Sequence, residues 1–412
     1  MLNVIALFLV ITALLAYLNH RFIGMPTAIG VMGSALVLSL SLVALNAVGV
    51  AGSLLAYEKL LLGSLDFSQV LMQGMLSLLL FAGALHVDLS ALKRYRVPVI
   101  GLAVVGTLVS TVVVGYGMWL VMPLLGLPLP FIYCLCFGAL ISPTDPIAVM
   151  GILKSAGAPK ELELVISGES LFNDGVGVVI FSLLLEVLIS GTTPTLGHGF
   201  ELLLHEAGGG LLFGLVLGYV TFRLLKSVDS YEVEVLLTLA AVTGGYALAT
   251  QLHVSGPLAM VVTGLMIGNH GRELAMSDTT RRYLDMFWEL VDEILNAVLF
   301  VLIGMEVLQV LFSASVLIAA GLAVVVTLFA RLLTVGMPVR LLGRTFELPR
   351  GSWKVLTWGG LRGGISVALA LSLPLGGERD IIVSLTYGVV AFSILVQGLS
   401  IGRVTRKAVQ GG

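Results

Sequence analysis

Apolar runs of about twenty residues, parted by short polar or Pro/Gly-bearing breaks, recur along this chain from end to end. Each such run predicts a helix that crosses a membrane, because roughly 20 residues at 1.5 Å per residue match a hydrocarbon core about 30 Å thick. Read run by run, the chain predicts thirteen spans, near 2–18, 26–48, 69–87, 98–122, 129–153, 164–189, 206–225, 233–250, 254–269, 286–310, 314–339, 353–374 and 380–402. The stretch 51–68 carries Glu58, Lys59 and Asp66 among leucines and reads as an interfacial connector. The first run, Leu2 to Leu18, lacks a basic leader, and Asn19-His20-Arg21-Phe22 offers no small-residue cleavage site, so it reads as a span. No soluble domain or long linker interrupts the pattern. The expectation is an all-α integral membrane protein forming one transmembrane domain over residues 1–412.

Composition agrees with the pattern. The chain is 58% hydrophobic and only 11% charged, against about 25% charged for a soluble domain. The net charge of −2 and the lack of a basic tract give no reason to expect a nucleic-acid partner. Cys134 and Cys136 lie two apart in an apolar run, on nearly opposite sides of a helix, and read as buried small residues with no disulfide or metal. No CxxC, HExxH, P-loop or GxGxxG pattern suggests an enzyme.

Charge also orients the spans. With the C-terminal Arg403, Arg406 and Lys407 placed in the cytoplasm, thirteen spans put the N-terminus outside. All 22 basic residues except Lys59, Arg379, Arg331 and Arg362 then fall in cytoplasmic segments, as the positive-inside rule requires.

Ionisable residues inside spans cost roughly 2.5–3.5 kcal/mol each at the bilayer centre, so they mark function or structural pairing. Glu186, Asp292, Glu293 and Glu306, with His198, His205, His253 and His270, lie near predicted ends and read as interfacial or structural. Three places differ. In the fifth span, Ser142-Pro143-Thr144-Asp145-Pro146 carries two prolines, which free the carbonyls of Ala139 and Ser142 from the helical ladder. Such a break is tolerated in a membrane where protein or a watery cavity supplies partners. Its oxygens suit a hard cation, although a plain proline kink is the simpler alternative. In the sixth span, Glu169, Ser170, Asn173 and Asp174 fall on one helix face, within about 140° of arc. A capped helix start at Ser167 would account for Ser167 to Ser170 but not for Asn173-Asp174. The twelfth span places Arg362 among four glycines in Gly359-Gly360-Leu361-Arg362-Gly363-Gly364. A broken helix in each half is the sign of an inverted-repeat transporter with its site between the halves. Arg362 needs a buried anionic partner, unless it snorkels to the cytoplasmic side.

These residues carry a resemblance. Ser142-Pro143-Thr144-Asp145-Pro146, Gly168-Glu169-Ser170-Leu171-Phe172-Asn173-Asp174-Gly175 and Gly359-Gly360-Leu361-Arg362-Gly363 resemble the signature of NhaP-type Na⁺/H⁺ antiporters, of the monovalent cation:proton antiporter family that includes animal sodium/hydrogen exchangers. Leu299 to Glu306 resembles a further family segment, and the likeness covers essentially the whole chain. The resemblance implies a core domain with two crossed, unwound helices and a scaffold domain that makes a homodimer in a bacterial-type inner membrane. It implies Na⁺ and H⁺ as transported substrates and no cofactor. Carried over, Asp174 holds cation and proton in turn, while Thr144 (largely through its carbonyl), Ser170 and Asp145 complete or assist the cation site. Glu169 and Asn173 resemble the partners that hold Arg362 and support the unwound core. Two features depart from the family pattern. Ala82 stands where some members carry an acidic residue, and the long cytoplasmic tail of animal exchangers does not follow, so no tail-dependent regulation is expected.

Asn173 cannot titrate and Arg362 is expected to hold Glu169 ionised, so a single titrating carboxylate at Asp174 predicts electroneutral exchange of one cation for one proton by alternating access, with Asp145 as the alternative second proton carrier. A K⁺/H⁺ antiporter is the alternative within the class, since Na⁺, Li⁺ and K⁺ differ only in sub-ångström oxygen geometry. An intramembrane aspartyl protease using Asp145 and Asp174 fits less well: no GxGD-like sequence surrounds either residue, and a paired Arg and Asn disfavour a shared-proton dyad. An ion channel would need an uninterrupted pore.

Overall fold

A computed structural model describes residues 2–47, 74–191, 201, 204–272, 275–306, 313–343 and 345–410. The 51–68 connector, His198 and Arg344 lie outside the described residues. Every regular element among the described residues is a helix. Among the described residues, seven helices are long and apolar enough to cross a membrane: Ala6–Ile23, Arg96–Leu125, Lys160–Ser190, Leu204–Leu225, Tyr231–Gln251, Ala314–Leu342 and Gly377–Ala408. Shorter apolar helices, Ile29–Ser41, Leu76–Leu85 and Phe131–Ile141, fall within other predicted runs. Large apolar side chains stand exposed on these helices, among them Leu212 at 65%, Leu236 at 66% and Val325 at 60%. Hydrocarbon accepts such a surface; water does not.

The chain divides into two compact units, one of residues 1–70, 109–163 and 296–412, the other of residues 71–108 and 164–295. In the second unit the helices Leu204–Leu225 and Gly256–Met266 pack backbone to backbone. Gly210, Gly214 and Gly218 form the seam: a β-carbon at Gly214 would come within 2.7 Å of the Ala259 carbonyl oxygen. The gap is small enough for the Thr263 hydroxyl to donate to the Gly214 carbonyl at 3.1 Å. Small residues at four-residue spacing permit this approach. Nearby, Trp288 is fully buried, meets the Phe81 ring in a tilted contact at 4.7 Å between centroids and donates its indole N–H to Thr238 Oγ1 at 3.1 Å. Asn269 ties the end of the Leu76–Leu85 helix in place, accepting from Leu89 N–H at 2.8 Å and donating to the Val87 carbonyl at 2.9 Å.

Among the described residues of the first unit, two helices are interrupted. One stops at Ile141 and resumes at Ile147, ending at Ser155. The other runs Ser352–Trp358, breaks over Gly359 to Gly363, and resumes as Gly364–Leu371. The Thr27–Ala47 helix lies against Leu299 to Glu306 in the same unit, where a β-carbon at Gly304 would meet Ala35 Cβ at 2.5 Å. Cys134 and Cys136 are both buried and unbonded to each other.

Two sequence readings are refined. The helix bearing Glu169 to Asp174 begins at Lys160, seven residues before Ser167, so Ser167 lies inside it and the alternative of a capped helix start there falls away. The helix expected from 286 begins at Asp278, which leaves Asp292 and Glu293 well inside it rather than near an end. Glu293 and Glu186 are nonetheless exposed, as a solvated reading requires.

Candidate functional site

The two prolines act on the first broken helix as their chemistry dictates. Without the N–H groups of Pro143 and Pro146 the ladder cannot continue, and side chains and the other broken helix supply partners. Ser142 Oγ donates to the Gly138 carbonyl at 2.6 Å and lies 2.9 Å from Ser110 Oγ. Asp145 N–H donates to the Leu361 carbonyl, inside the second break, at 2.8 Å. In return Arg362 Nε donates to the Ile141 carbonyl, the last of the first half-helix, at 2.9 Å. The two interruptions are therefore bonded to each other in both directions.

Arg362 is 2% exposed, which rules out a side chain reaching for the aqueous interface. Its guanidinium meets carbonyls on both sides: Ile141 in the first break and, through Nη1, Gly360 in its own. A cation at the C-terminal pole of the Phe131–Ile141 half-helix is also favoured by the helix dipole. A second buried arginine, Arg331, does the same for the other break, donating from Nη2 to the Leu356 carbonyl at 3.1 Å. Asp145 sits at opposite poles. It lies just before the Ile147–Ser155 half-helix, and its carboxylate packs on the backbone of Gly363, at the start of Gly364–Leu371. A β-carbon at Gly363 would overlap that carboxylate. Two helix N-termini, each with unpaired N–H groups, thus favour negative charge at Asp145. Thr144 is 2% exposed between them.

The second unit carries the other candidates. Along Lys160–Ser190, Glu169, Ser170, Asn173 and Asp174 are 1%, 2%, 1% and 8% exposed. Asn173 Nδ2 lies 3.5 Å from Glu169 Oε1, one turn back. Close packing brackets this face: a β-carbon at Gly168 would strike Leu92 Cδ1, and one at Gly175 would touch Leu258 Cδ1 at 3.3 Å. Ala82, at the position that is acidic in some relatives of the resembled family, is wholly buried in the Leu76–Leu85 helix. Among the described residues no group of three His, Cys, Asp or Glu side chains is placed to hold a metal.

The model of one family, the transmembrane sodium/hydrogen exchanger, matches residues 9–407 of this chain. The chain belongs to the sodium/hydrogen exchanger family. Among other members it is 55% identical to the Na⁺/H⁺ antiporter NhaP of Pseudomonas aeruginosa, over 100% of this chain and 98% of that protein. It is 36% identical to the Na⁺/H⁺ antiporter NhaH of Halobacillus dabanensis, over 85% of this chain and 86% of that one. The fold of this exchanger-family chain is that of the solved sodium proton antiporter MjNhaP1 from Methanocaldococcus jannaschii, with a TM-score of 0.77 at 20% identity over 99% of this chain and 98% of that one.

Some contributors to the breaks carry little sequence signal. Ser393, Gln397 and Arg331 all bond to the second broken helix. The signal that could have found them is weak: a serine and a glutamine four apart in an otherwise apolar run, and one arginine inside a span.

Proposed function

We propose that this protein exchanges Na⁺ for H⁺ across a bacterial-type inner membrane, one for one. The observation that carries the reading is a membrane helix that buries Glu169, Ser170, Asn173 and Asp174 on one face, in a chain of this family. Asp174 takes cation and proton in turn, with Thr144, Ser170 and Asp145 assisting the cation, and Glu169, Asn173 and Arg362 supporting the break. Because one carboxylate binds either ion, each displaces the other. Occupied states have their charge compensated, whereas bare Asp174⁻ is costly to move through a low-dielectric path. That cost couples the two fluxes. The half-helix poles at Asp145 support a fixed anionic role for it, leaving Asp174 as the single carrier. The protein acts as a homodimer, with its N-terminus outside and its C-terminus in the cytoplasm.

Reconstituted into liposomes with a pH dye and an imposed pH gradient, the protein should dissipate that gradient when Na⁺ is added. Li⁺ and K⁺ added in turn give the selectivity. With K⁺ shown to be no substrate, clamping the membrane potential with valinomycin should leave the reversal point of Na⁺-driven proton flux unmoved. A shift would mean that a second carboxylate titrates. Dissipation by K⁺ alone would favour the K⁺/H⁺ reading.

A further inference from the structure

The last membrane helix does more than pack. It departs from α geometry over Ser393–Gly398, where a π-helical stretch turns Ser393 and Gln397 toward the second broken helix. Such bulges recur at functional sites because the extra residue re-aims side chains at the cost of regular bonding. Here both side chains are buried, 0% and 3% exposed. Arg362 N–H, freed by the break, donates to Ser393 Oγ at 2.9 Å. Ser393 Oγ donates in turn to Gln397 Oε1 at 2.9 Å. Gln397 Nε2 then donates to the carbonyl of Trp358, the last helical residue before the break, at 2.9 Å. The direction of this chain is fixed at both ends. A backbone N–H can only donate and a backbone carbonyl can only accept, which settles the amide orientation and the hydroxyl proton.

We infer that Ser393 and Gln397 are positioning residues for the cation site, a brace that joins the two lips of the second break and so holds the Leu361 carbonyl against Asp145 N–H. Trp358 and Arg362 flank Leu361, and Leu361 O is the acceptor of the Asp145 N–H. Holding both flanks therefore fixes the first break through the second. The inference rests on the proposed exchange at Asp174 and Asp145, and the test separates the two.

Four variants in proteoliposomes, with wild type alongside, carry the test: Ser393→Ala, Ser393→Thr, Gln397→Ala and Gln397→Glu. The alanine variants should raise the apparent KM for Na⁺ several-fold and change the Li⁺/Na⁺ preference, with Ser393→Thr restoring both. Glutamate offers the Trp358 carbonyl a hydrogen only when protonated, so Gln397→Glu should move the pH profile of exchange toward acid. Amide hydrogen exchange over residues 140–147 and 359–363 reads the brace without any transport, and protection there should fall in both alanine variants. Protection equal to wild type would overturn the inference whatever the transport result. So would an unchanged KM, ion preference and pH profile in an active protein. A wild type inert to every cation, with protection lost in the variants, would sink the exchange reading and leave the brace standing.

Discussion

Asp174 is the least enclosed of the four polar side chains on its helix face, 8% exposed against 1–2% for the others. Under the proposed exchange, a group that trades ions with water needs some residual access, whereas a group that only supports needs none. Arg362, 2% exposed, is assigned the second role in that proposal. Its side chain satisfies the carbonyls of Ile141 and Gly360, which the two breaks leave without helical donors. Arg362→Ala would strand both, at roughly 1–3 kcal/mol each for an unsatisfied buried acceptor. The expected outcome is a lower thermal midpoint in detergent together with lost exchange. A variant that melts and transports like wild type would mean that the guanidinium braces nothing. The charge of Arg362 was legible from its span and its glycines. Its turn toward backbone carbonyls was not, because that depends on a partner break 221 residues away in sequence.

The elements divide by how local their causes are. Both broken helices were legible, since prolines at 143 and 146 and glycines around 362 act through their own backbone. The sixth span, expected near 164–189, opens as a helix at Lys160, because apolar periodicity does not register a first turn made of Lys160, Glu161 and Glu163. The π-helical stretch at Ser393–Gly398 left no periodic trace in an apolar run, where every position is hydrophobic enough for any helix. The seam of Gly210, Gly214 and Gly218 was equally silent: small residues fit a membrane helix on any face until a neighbour chooses one. It is testable on its own. Gly214→Val should push Ala259 and Val262 away and lower stability by about 1–3 kcal/mol, the usual cost of overpacking. Thermal unfolding in detergent measures it, and an unshifted midpoint would mean that the two helices part easily.

At the scale of the whole molecule, orientation is the first question, and basic residues alone carry the expectation. Cys134 and Cys136 are buried, so introduced cysteines should report over little background. Lys93→Cys should be labelled only from the cytoplasm and Thr193→Cys only from outside. Reversal of both would invert the topology, and labelling of both from one side would refute the span count. The central claim is that one carboxylate carries both ions. Its most direct test compares wild type with Asp174→Asn in sealed proteoliposomes at matched protein content, following the pH dye as Na⁺ is added. An amide neither releases a proton nor neutralises a bound cation, so the variant should fold and give the trace of protein-free vesicles while wild type dissipates the gradient. Sodium-dependent proton flux persisting in folded Asp174→Asn would contradict the account.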